Sequence, residues 1–460
     1  MQQSVFFDLD LIRRYDQAGP RYTSYPTAVE FDPAFTAERY RDQVSLSNLA
    51  GGPLSLYFHL PFCDTVCFYC ACNKIITKNR NHAQPYLDNL HQEMTLQAEL
   101  FDSSRVVEQL HWGGGTPTFI SHQQMRELMA VTRQHFNLAD DEHGEFSIEI
   151  DPREADAETI AILRDIGFNR ISLGVQDFNP KVQKAVNRIQ SEQETLAVIE
   201  AARDNNFRSI SLDLIYGLPH QTVSSFAETL DKVIAVNPDR LSVFNYAHMP
   251  ERFKTQRQIN NDDIPSAEVK LEILQQSINQ LTEAGYVYIG MDHFAKPDDE
   301  LAIAQRENKL YRNFQGYSTH SECDLIGLGI TSIGSVGDSY SQNKRTLAEY
   351  AESLANNQLP VFRGIELNDD DKIRRTVITR LICHFSLDIQ AIELELNINF
   401  FQYFATELIK LKQFIADELV ILTPTHIAVL PAGHLLIRNI CMVFDRYLQQ
   451  KTNSHFSKVI

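Results

Sequence analysis

The segment "HLPFCDTVCFYCACNKI" (59–75) places four thiols, Cys63, Cys67, Cys70 and Cys72, within ten positions. Elsewhere in the 460 residues only Cys323, Cys383 and Cys441 occur. A thiolate is both a nucleophile and a soft metal ligand, so this concentration reads as chemistry before packing. Four chemistries compete for Cys-x3-Cys-x2-Cys-x-Cys. A disulfide needs an oxidising compartment. Structural zinc would engage all four thiolates, but the usual second Cys-x2-Cys knuckle is missing. A redox dithiol would use Cys67 and Cys70. An iron–sulfur cluster would take three thiolates from one short loop and leave one iron open to a small molecule.

A second motif, "HWGGGTPT" (111–118), has three consecutive glycines, which let backbone groups approach a ligand where a Cβ would intrude. No Gly-Lys-Ser/Thr follows, which excludes a phosphate-binding P-loop. Further polar groups close apolar runs: His59, "EIDPRE" (149–154), "GVQDF" (174–178), "DLIYGLP" (213–219) and "NYAHMP" (245–250). Glu149 could accept hydrogen bonds from a ligand hydroxyl or amine, or serve a structural ion pair. Arg188, in "AVNRIQ", reads on its own as a solvated loop charge.

The elements that must position these groups alternate strand and helix. Strands are predicted at 54–60, 106–112, 145–150, 170–175, 209–215 and 240–246, rich in Val, Ile, Leu, Ser and aromatics, as in strands buried on both faces. Helical stretches intervene, one opening at Ser121 as N-cap. Such alternation implies parallel strands with right-handed crossovers. Polar residues at all six strand ends favour an α/β barrel, complete or partial, over an open sheet with a single switch point. Residues 1–52 form an arm containing "GPRYTSYPT". Residues 53–365 hold the barrel, which "CDLIGLGITSIGSVGDSY" (323–340) covers or closes. Residues 366–460 form a mainly helical C-terminal domain with a hairpin at 419–430. Cys323, Cys383 and Cys441 are expected in the core.

With 43% hydrophobic and 22% charged residues, the composition suits an ordinary globular protein. A formal net charge of −18 argues against general nucleic-acid binding. "MQQSVFFDLDLIRRYDQ" lacks the features of a signal peptide, and no apolar run is long enough to span a bilayer. A cytoplasmic protein with no membrane partner is expected.

Cys63-x3-Cys67-x2-Cys70 after a first barrel strand, with Tyr69 before the last cysteine, resembles the radical S-adenosylmethionine superfamily. "RYTSYPT", "PFCDTVCFYCACNKI", "LHWGGGTPT", "IEIDPRE", "FNRISLGVQDFN", "DLIYGLP", "DRLSVFNYAHMP", "GMDHFAKPDDEL", "RNFQGY" and "LIRNICM" occur in order across almost the whole chain. Together they resemble the bacterial oxygen-independent coproporphyrinogen III oxidase family of heme biosynthesis. The resemblance implies a partial (βα)6 TIM-like radical SAM barrel. It implies one [4Fe–4S] cluster per chain on Cys63, Cys67 and Cys70, and two S-adenosylmethionines. Tyr57, Gly114, Glu149 and Ile333 match positions lining the first. Tyr69, Gly115, Thr116, Gln176, Arg188, Asp213 and Ala247 match positions around the second. Cys72 matches a fourth family cysteine that is not a ligand and is expected to be catalytic. The implied reaction turns two propionates of coproporphyrinogen III into vinyls and requires an electron donor and an electron acceptor. Arg21 and Tyr22 of the arm are expected at the tetrapyrrole, and the chain is expected to act as a monomer. A heme-binding chaperone of the same superfamily, or a radical enzyme for another tetrapyrrole, stands as the alternative. Cys72 and the arm favour the oxidase, since those chaperones typically carry phenylalanine at that position and lack the arm.

Overall fold

The computed structural model describes residues 5–450; the first four residues of the arm and residues 451–460 of the C-terminal segment lie outside the described residues. Six strands lie side by side in chain order, every neighbouring pair parallel. They are β1 (Leu54–Leu60), β2 (Val106–Gly114), β3 (Glu145–Ile150), β4 (Arg170–Gln176), β5 (Ser209–Tyr216) and β6 (Arg240–Asn245). The intervening helices begin at side-chain caps. Ser121 and Gln124, Ser191 and Glu194, and Thr222 and Ser225 each form a reciprocal capping box that satisfies otherwise orphaned N–H groups.

The sheet continues past both ends of this set. Beyond β6 come β8 (His293–Ala295) and then β7 (Val287–Gly290), both antiparallel to their neighbours. A hairpin, β9 (Tyr311–Asn313) and β10 (Gly316–Ser318), stands apart from the sheet. Beyond β1 come β11 (Asp324–Leu328), parallel to β1, and then β12 (Ile333–Val336), β13 (Ser339–Asn343) and β14 (Val361–Glu366), all antiparallel. The path runs from β7 to β14 without its ends pairing, so the barrel is partial. The glycine-spaced segment 323–340 therefore widens the wall beside β1 and does not close the barrel. Glu93, fully buried, fixes this wall. It accepts from the Gly329 N–H (2.7 Å), the Asn343 amide (2.6 Å) and the Tyr350 hydroxyl (2.5 Å).

The expectation of strands apolar on both faces is corrected. Leu56, Phe58, Leu110, Trp112, Phe146, Ile148, Leu173, Leu212 and Leu241 point outward into the helices and are buried. The alternate positions line the lumen, and they are polar: Ser55, Tyr57 and His59 on β1, Gln109 and His111 on β2, Glu145, Ser147 and Glu149 on β3, Arg170 and Ser172 on β4, Asp213 on β5, Arg240 and Ser242 on β6. A period of two in side-chain direction separates an apolar jacket from a polar lumen.

After β14 ends at Glu366, a helix capped by Asn368 runs from Asp369 to His384. The expected hairpin gains a third strand, Ser386–Asp388, paired with His426–Val429. Cys383 and Cys441 are fully buried here, as expected, whereas Cys323 is only half-buried beside Glu108 and His320 and is not a core residue.

The arm does not lie loosely over the strand ends. The Tyr15 ring stacks on Phe414 (4.8 Å), and its hydroxyl donates to Asp417 (2.6 Å). Arg438 Nε donates to the Pro20 carbonyl (2.9 Å), and the Arg446 N–H donates to the Tyr25 hydroxyl (3.2 Å). Residues 15–25 are thus clamped by the C-terminal segment. Among the described residues, no helix is long and apolar enough to cross a membrane.

Candidate active site

The lumen is stacked in polar layers. Its floor joins Gln109 to Glu145 (3.0 Å), Arg170 to Glu145 (3.8 Å) and Arg240 to Asp299 (2.9 Å). Higher up, the Tyr57 ring stacks on His111 (5.8 Å between centroids). His111 Nδ1 meets the Ser147 hydroxyl (2.6 Å), and its Nε2 faces Glu149 Oε1 (3.4 Å). The Gly114 N–H donates to Glu149 Oε2 (3.1 Å). Burial opposes ionisation of Glu149, but the bond and charge of His111 and the Gly114 N–H outweigh it and hold the carboxyl below its usual range.

Across the lumen, the Ser172 hydroxyl donates to Asp213 Oδ2 (3.0 Å). Burial pushes the Asp213 carboxyl up to about 6, against the hydrogen bonds of Ser172 and Ser242. The folded chain therefore holds this proton more tightly than the unfolded chain does. Asp213 costs stability progressively as the pH rises through the window between its unfolded and folded values, and the full cost remains above about 6. Asp213→Asn removes that cost. The variant is expected to melt above the unsubstituted protein at pH 7.5 and level with it at pH 4, by scanning calorimetry. A lower midpoint at pH 7.5 would show that the ionised carboxylate is stabilised in place.

The cysteine loop leaves β1 through Pro61 and Phe62 and is held from three directions. From the end of β2, the Gly115 and Thr116 N–H groups donate to the Leu60 (2.8 Å) and Phe62 (2.7 Å) carbonyls. A Cβ on Gly115 would lie 2.7 Å from the Pro61 and Phe62 carbonyl oxygens, and one on Gly114, at φ 114°, would lie 2.7 Å from the His59 ring. Two of the three glycines thus let the second strand end press on the loop and on His59, a role the sequence reading assigned to ligand approach alone. From 186–187, the Val186 carbonyl accepts the Phe68 N–H (2.9 Å), and the Asn187 amide donates to the Val66 carbonyl (2.8 Å). Within the loop, Lys74 Nζ donates to the Cys70 carbonyl (2.8 Å).

All four thiols of the loop are free. The Thr116 hydroxyl lies 3.5 Å from Cys63 Sγ, and Arg188 Nη1 and Arg153 Nη2 lie 3.6 and 3.7 Å from Cys67 Sγ. Burial pushes the Cys63 thiol up to about 11. Cys72 is exposed, its thiol in contact with that of Cys70. Three soft ligands from one loop, with O–H and N–H donors aimed at two of the sulfurs, fit an iron–sulfur cluster.

Arg188 is not the solvated charge its loop position suggested. Its side chain is 7% exposed, pairs with Asp151 (2.9 Å) and donates to the Gly174 carbonyl (2.6 Å). Gln176 sits at φ 67° after a bulge in β4, with its amide against Gly174. Asp213 pairs in register with Gly174. Tyr69 lies beside Arg188, and its carbonyl shares the Gln256 amide with that of Ala247 (3.0 and 3.2 Å). Ile333 backs onto Gly327, the β11 residue that pairs with Tyr57. The predicted residues thus fall into two groups, one around Tyr57, Gly114 and Glu149 and one around Gln176, Arg188 and Asp213. The arm residues stand apart from both: Arg21 pairs with Asp292 (2.6 Å), and Tyr22, 4% exposed, donates to Asp445 (3.0 Å). The Tyr22 hydroxyl proton is thus taken by Asp445.

Sequence reading passed over His111, Asp151, Arg153, Asn187 and Gln256. His111 opens the motif that stands out for its glycines, and Asp151 and Arg153 lie in a strand-end motif whose signal is its position; Asn187 and Gln256 carry no local signal.

A model of the Radical SAM superfamily matches residues 57–233, and a model of the HemN C-terminal domain matches residues 367–436. The chain is 56% identical to the oxygen-independent coproporphyrinogen III oxidase of Pseudomonas aeruginosa, covering all of both chains. It is 50% identical to that of Escherichia coli K12, over 100% of this chain and 99% of the relative. It also superposes on the solved structure of coproporphyrinogen III oxidase (HemN) from Escherichia coli with a TM-score of 0.92 and 48% identity, over 97% of this chain and 100% of the other.

Proposed function

The chain belongs to the oxygen-independent coproporphyrinogen III oxidase family, and on that premise we propose how its two strand-end groups divide the work. The reaction is the oxidative decarboxylation of two propionates of coproporphyrinogen III to vinyls, giving protoporphyrinogen IX in heme biosynthesis. It uses a [4Fe–4S] cluster and S-adenosylmethionine. We assign catalysis to residues 53–365, with the arm (1–52) and the C-terminal domain (366–460) enclosing the substrate.

Cys63, Cys67 and Cys70 are the residues that would hold the cluster. With adenosylmethionine, the bound cluster supplies a 5′-deoxyadenosyl radical. A radical is needed because a propionate losing CO2 as a carbanion has nothing to stabilise the charge, whereas removing the hydrogen next to the pyrrole leaves an electron the ring can share. The donors of Thr116, Arg153 and Arg188 lower the cost of negative charge on Cys63 and Cys67. Glu149, kept ionised by His111, offers an acceptor to an ammonium group, with Tyr57, Gly114 and Ile333 around it. A second adenosylmethionine lies among Tyr69, Gly115, Thr116, Gln176, Arg188, Asp213 and Ala247, in this reading. Asp213, titrating near 6, can hold or release a proton at the lumen mouth under physiological conditions. Cys72, exposed beside Cys70, stays outside the ligand set and serves turnover.

The observation that carries this reading is the convergence of hydroxyl and guanidinium donors on the thiols of a loop clamped at the lumen mouth. The deciding experiment supplies coproporphyrinogen III, S-adenosylmethionine, a one-electron reductant and an electron acceptor to the anaerobically reconstituted protein and reads the products by mass. Loss of two CO2 and four hydrogen atoms per tetrapyrrole is expected; unchanged substrate with an intact cluster refutes the assignment.

Cys72→Ala and Gln176→Ala test the division of roles. Both are expected to keep their iron and to lose at least tenfold in turnover, Gln176→Ala through about 1.5–3 kcal/mol of a hydrogen bond to a charged ligand. Iron loss in Cys72→Ala would move that thiol into the ligand set. Full turnover in Gln176→Ala would empty the second subsite of meaning.

A further inference from the structure

A second polar cluster lies apart from the cysteine loop and the two groups of predicted residues, where β8 leaves β6. Arg21 pairs there with Asp292 (2.6 Å). Arg438 donates to the carbonyls of Gly19 and Pro20, immediately before Arg21. His293, next to Asp292, sets its ring edge-on to Tyr317 (5.2 Å between centroids), and the guanidinium carbon of Arg312 lies 4.7 Å from the centre of that same Tyr317 ring. Three guanidiniums from the arm, the β9–β10 hairpin and the C-terminal domain therefore converge beside Asp292.

Arg312 is the unexplained member. It is 6% exposed, and its Nε and Nη1 are buried with no hydrogen-bond partner. Leaving charged donors unsatisfied is expensive, and a guanidinium presents them as a planar fork shaped for a carboxylate. Asp292 is already engaged by Arg21, and Asp445 takes the Tyr22 hydroxyl. Burial, followed by the charge of Arg21, brings Arg438 down to about 10, so the cations act on one another and an added anion would relieve them.

The cluster is also well placed. His293 pairs with Ser242 on β6, and Ser242 pairs with Asp213 on β5. Two strand spacings, about 10 Å, separate it from Asp213 at the lumen mouth. The substrate carries four propionates, of which one reacts at a time, so the others must be neutralised away from bulk water while the macrocycle is held in place.

We propose that Arg312, with Arg21 and Arg438, forms the anchor for propionate carboxylates of the tetrapyrrole that are not at the reacting position. This rests on the assignment of coproporphyrinogen III as substrate. Arg312 is the positioning and specificity residue of the set, because its buried Nε and Nη1 are the donors left without a partner.

The test uses the reconstituted holoenzyme with Arg312→Met and Arg312→Lys. In Arg312→Met, KM for coproporphyrinogen III is expected to rise at least tenfold. Iron content and the change in the cluster EPR signal on adding adenosylmethionine should match the unsubstituted enzyme. Arg312→Lys, which keeps the charge and loses the fork, should fall between the two. Preference for the tetracarboxylate over its monovinyl tricarboxylate intermediate should shrink in both variants, a change that mere loosening of the fold would not produce. An unsubstituted enzyme without decarboxylase activity would refute the functional assignment itself. An active enzyme whose KM and substrate preference survive both substitutions overturns only the anchor. If Arg312→Met loses its cluster, Arg312→Lys decides, and an unaltered preference there overturns the anchor too.

Discussion

Alanine at Cys63, Cys67 or Cys70 is expected to leave a folded chain that takes up no stable [4Fe–4S] cluster and forms no protoporphyrinogen IX. In the proposed assignment each of these thiols is one of three cluster ligands, and two thiolates would hold such a cluster poorly. The fold should survive, because the loop is tied by backbone bonds from Gly115, Thr116 and Phe68 rather than by the thiols. Iron and sulfide analysis after anaerobic reconstitution, with circular dichroism as the folding control, reads the result. Close to four irons per chain in any of the three variants would break the ligand assignment. Stoichiometric zinc in the unsubstituted protein would break the mechanism.

The second large effect belongs to Arg188. Replacing it with Met removes a buried cation from Asp151, a donor from the Gly174 carbonyl and a donor from Cys67 Sγ at once. The expected cost is about 3 kcal/mol, the low end for a broken buried ion pair because Arg153 remains on Asp151. Denaturant unfolding of the cluster-free chain measures that cost. The reconstituted variant should also hold its cluster at a lower reduction potential, since one donor that favours added negative charge near Cys67 is gone. Arg188→Lys should recover part of the stability and less of the potential. A variant as stable as the parent would mean that Arg153 alone satisfies Asp151.

How far these features were legible depends on the range of the forces behind them. The six parallel strands and the Ser121 cap could be read locally, because side-chain period and capping are properties of short windows. The cysteine loop was legible for the same reason. The polarity of the lumen is written in the alternation of "SISLDLI" and "EFSIEI", but their density of Ile and Leu also suits two-sided burial. The burial of Arg188 has no local signature, because its partner Asp151 stands 37 positions upstream and nothing in "AVNRIQ" announces it; only the family resemblance singles the residue out. The antiparallel edges, the half-exposed Cys323 and the capture of Tyr22 by Asp445 all depend on contacts between distant segments, which no local pattern encodes.

The clamp between the arm and the C-terminal segment sets an order of events during synthesis. Arg438, Asp445 and Arg446 hold residues 19–25 across separations of more than 400 positions, so the arm cannot seat until those residues have left the ribosome. By then β1 to β6 and the cysteine loop have long since emerged. The nascent chain thus passes through an interval in which the barrel strands and the cysteine loop have emerged while the arm is still unseated. A stalled chain ending at residue 436 should accordingly show residues 19–25 open to protease while the barrel resists it.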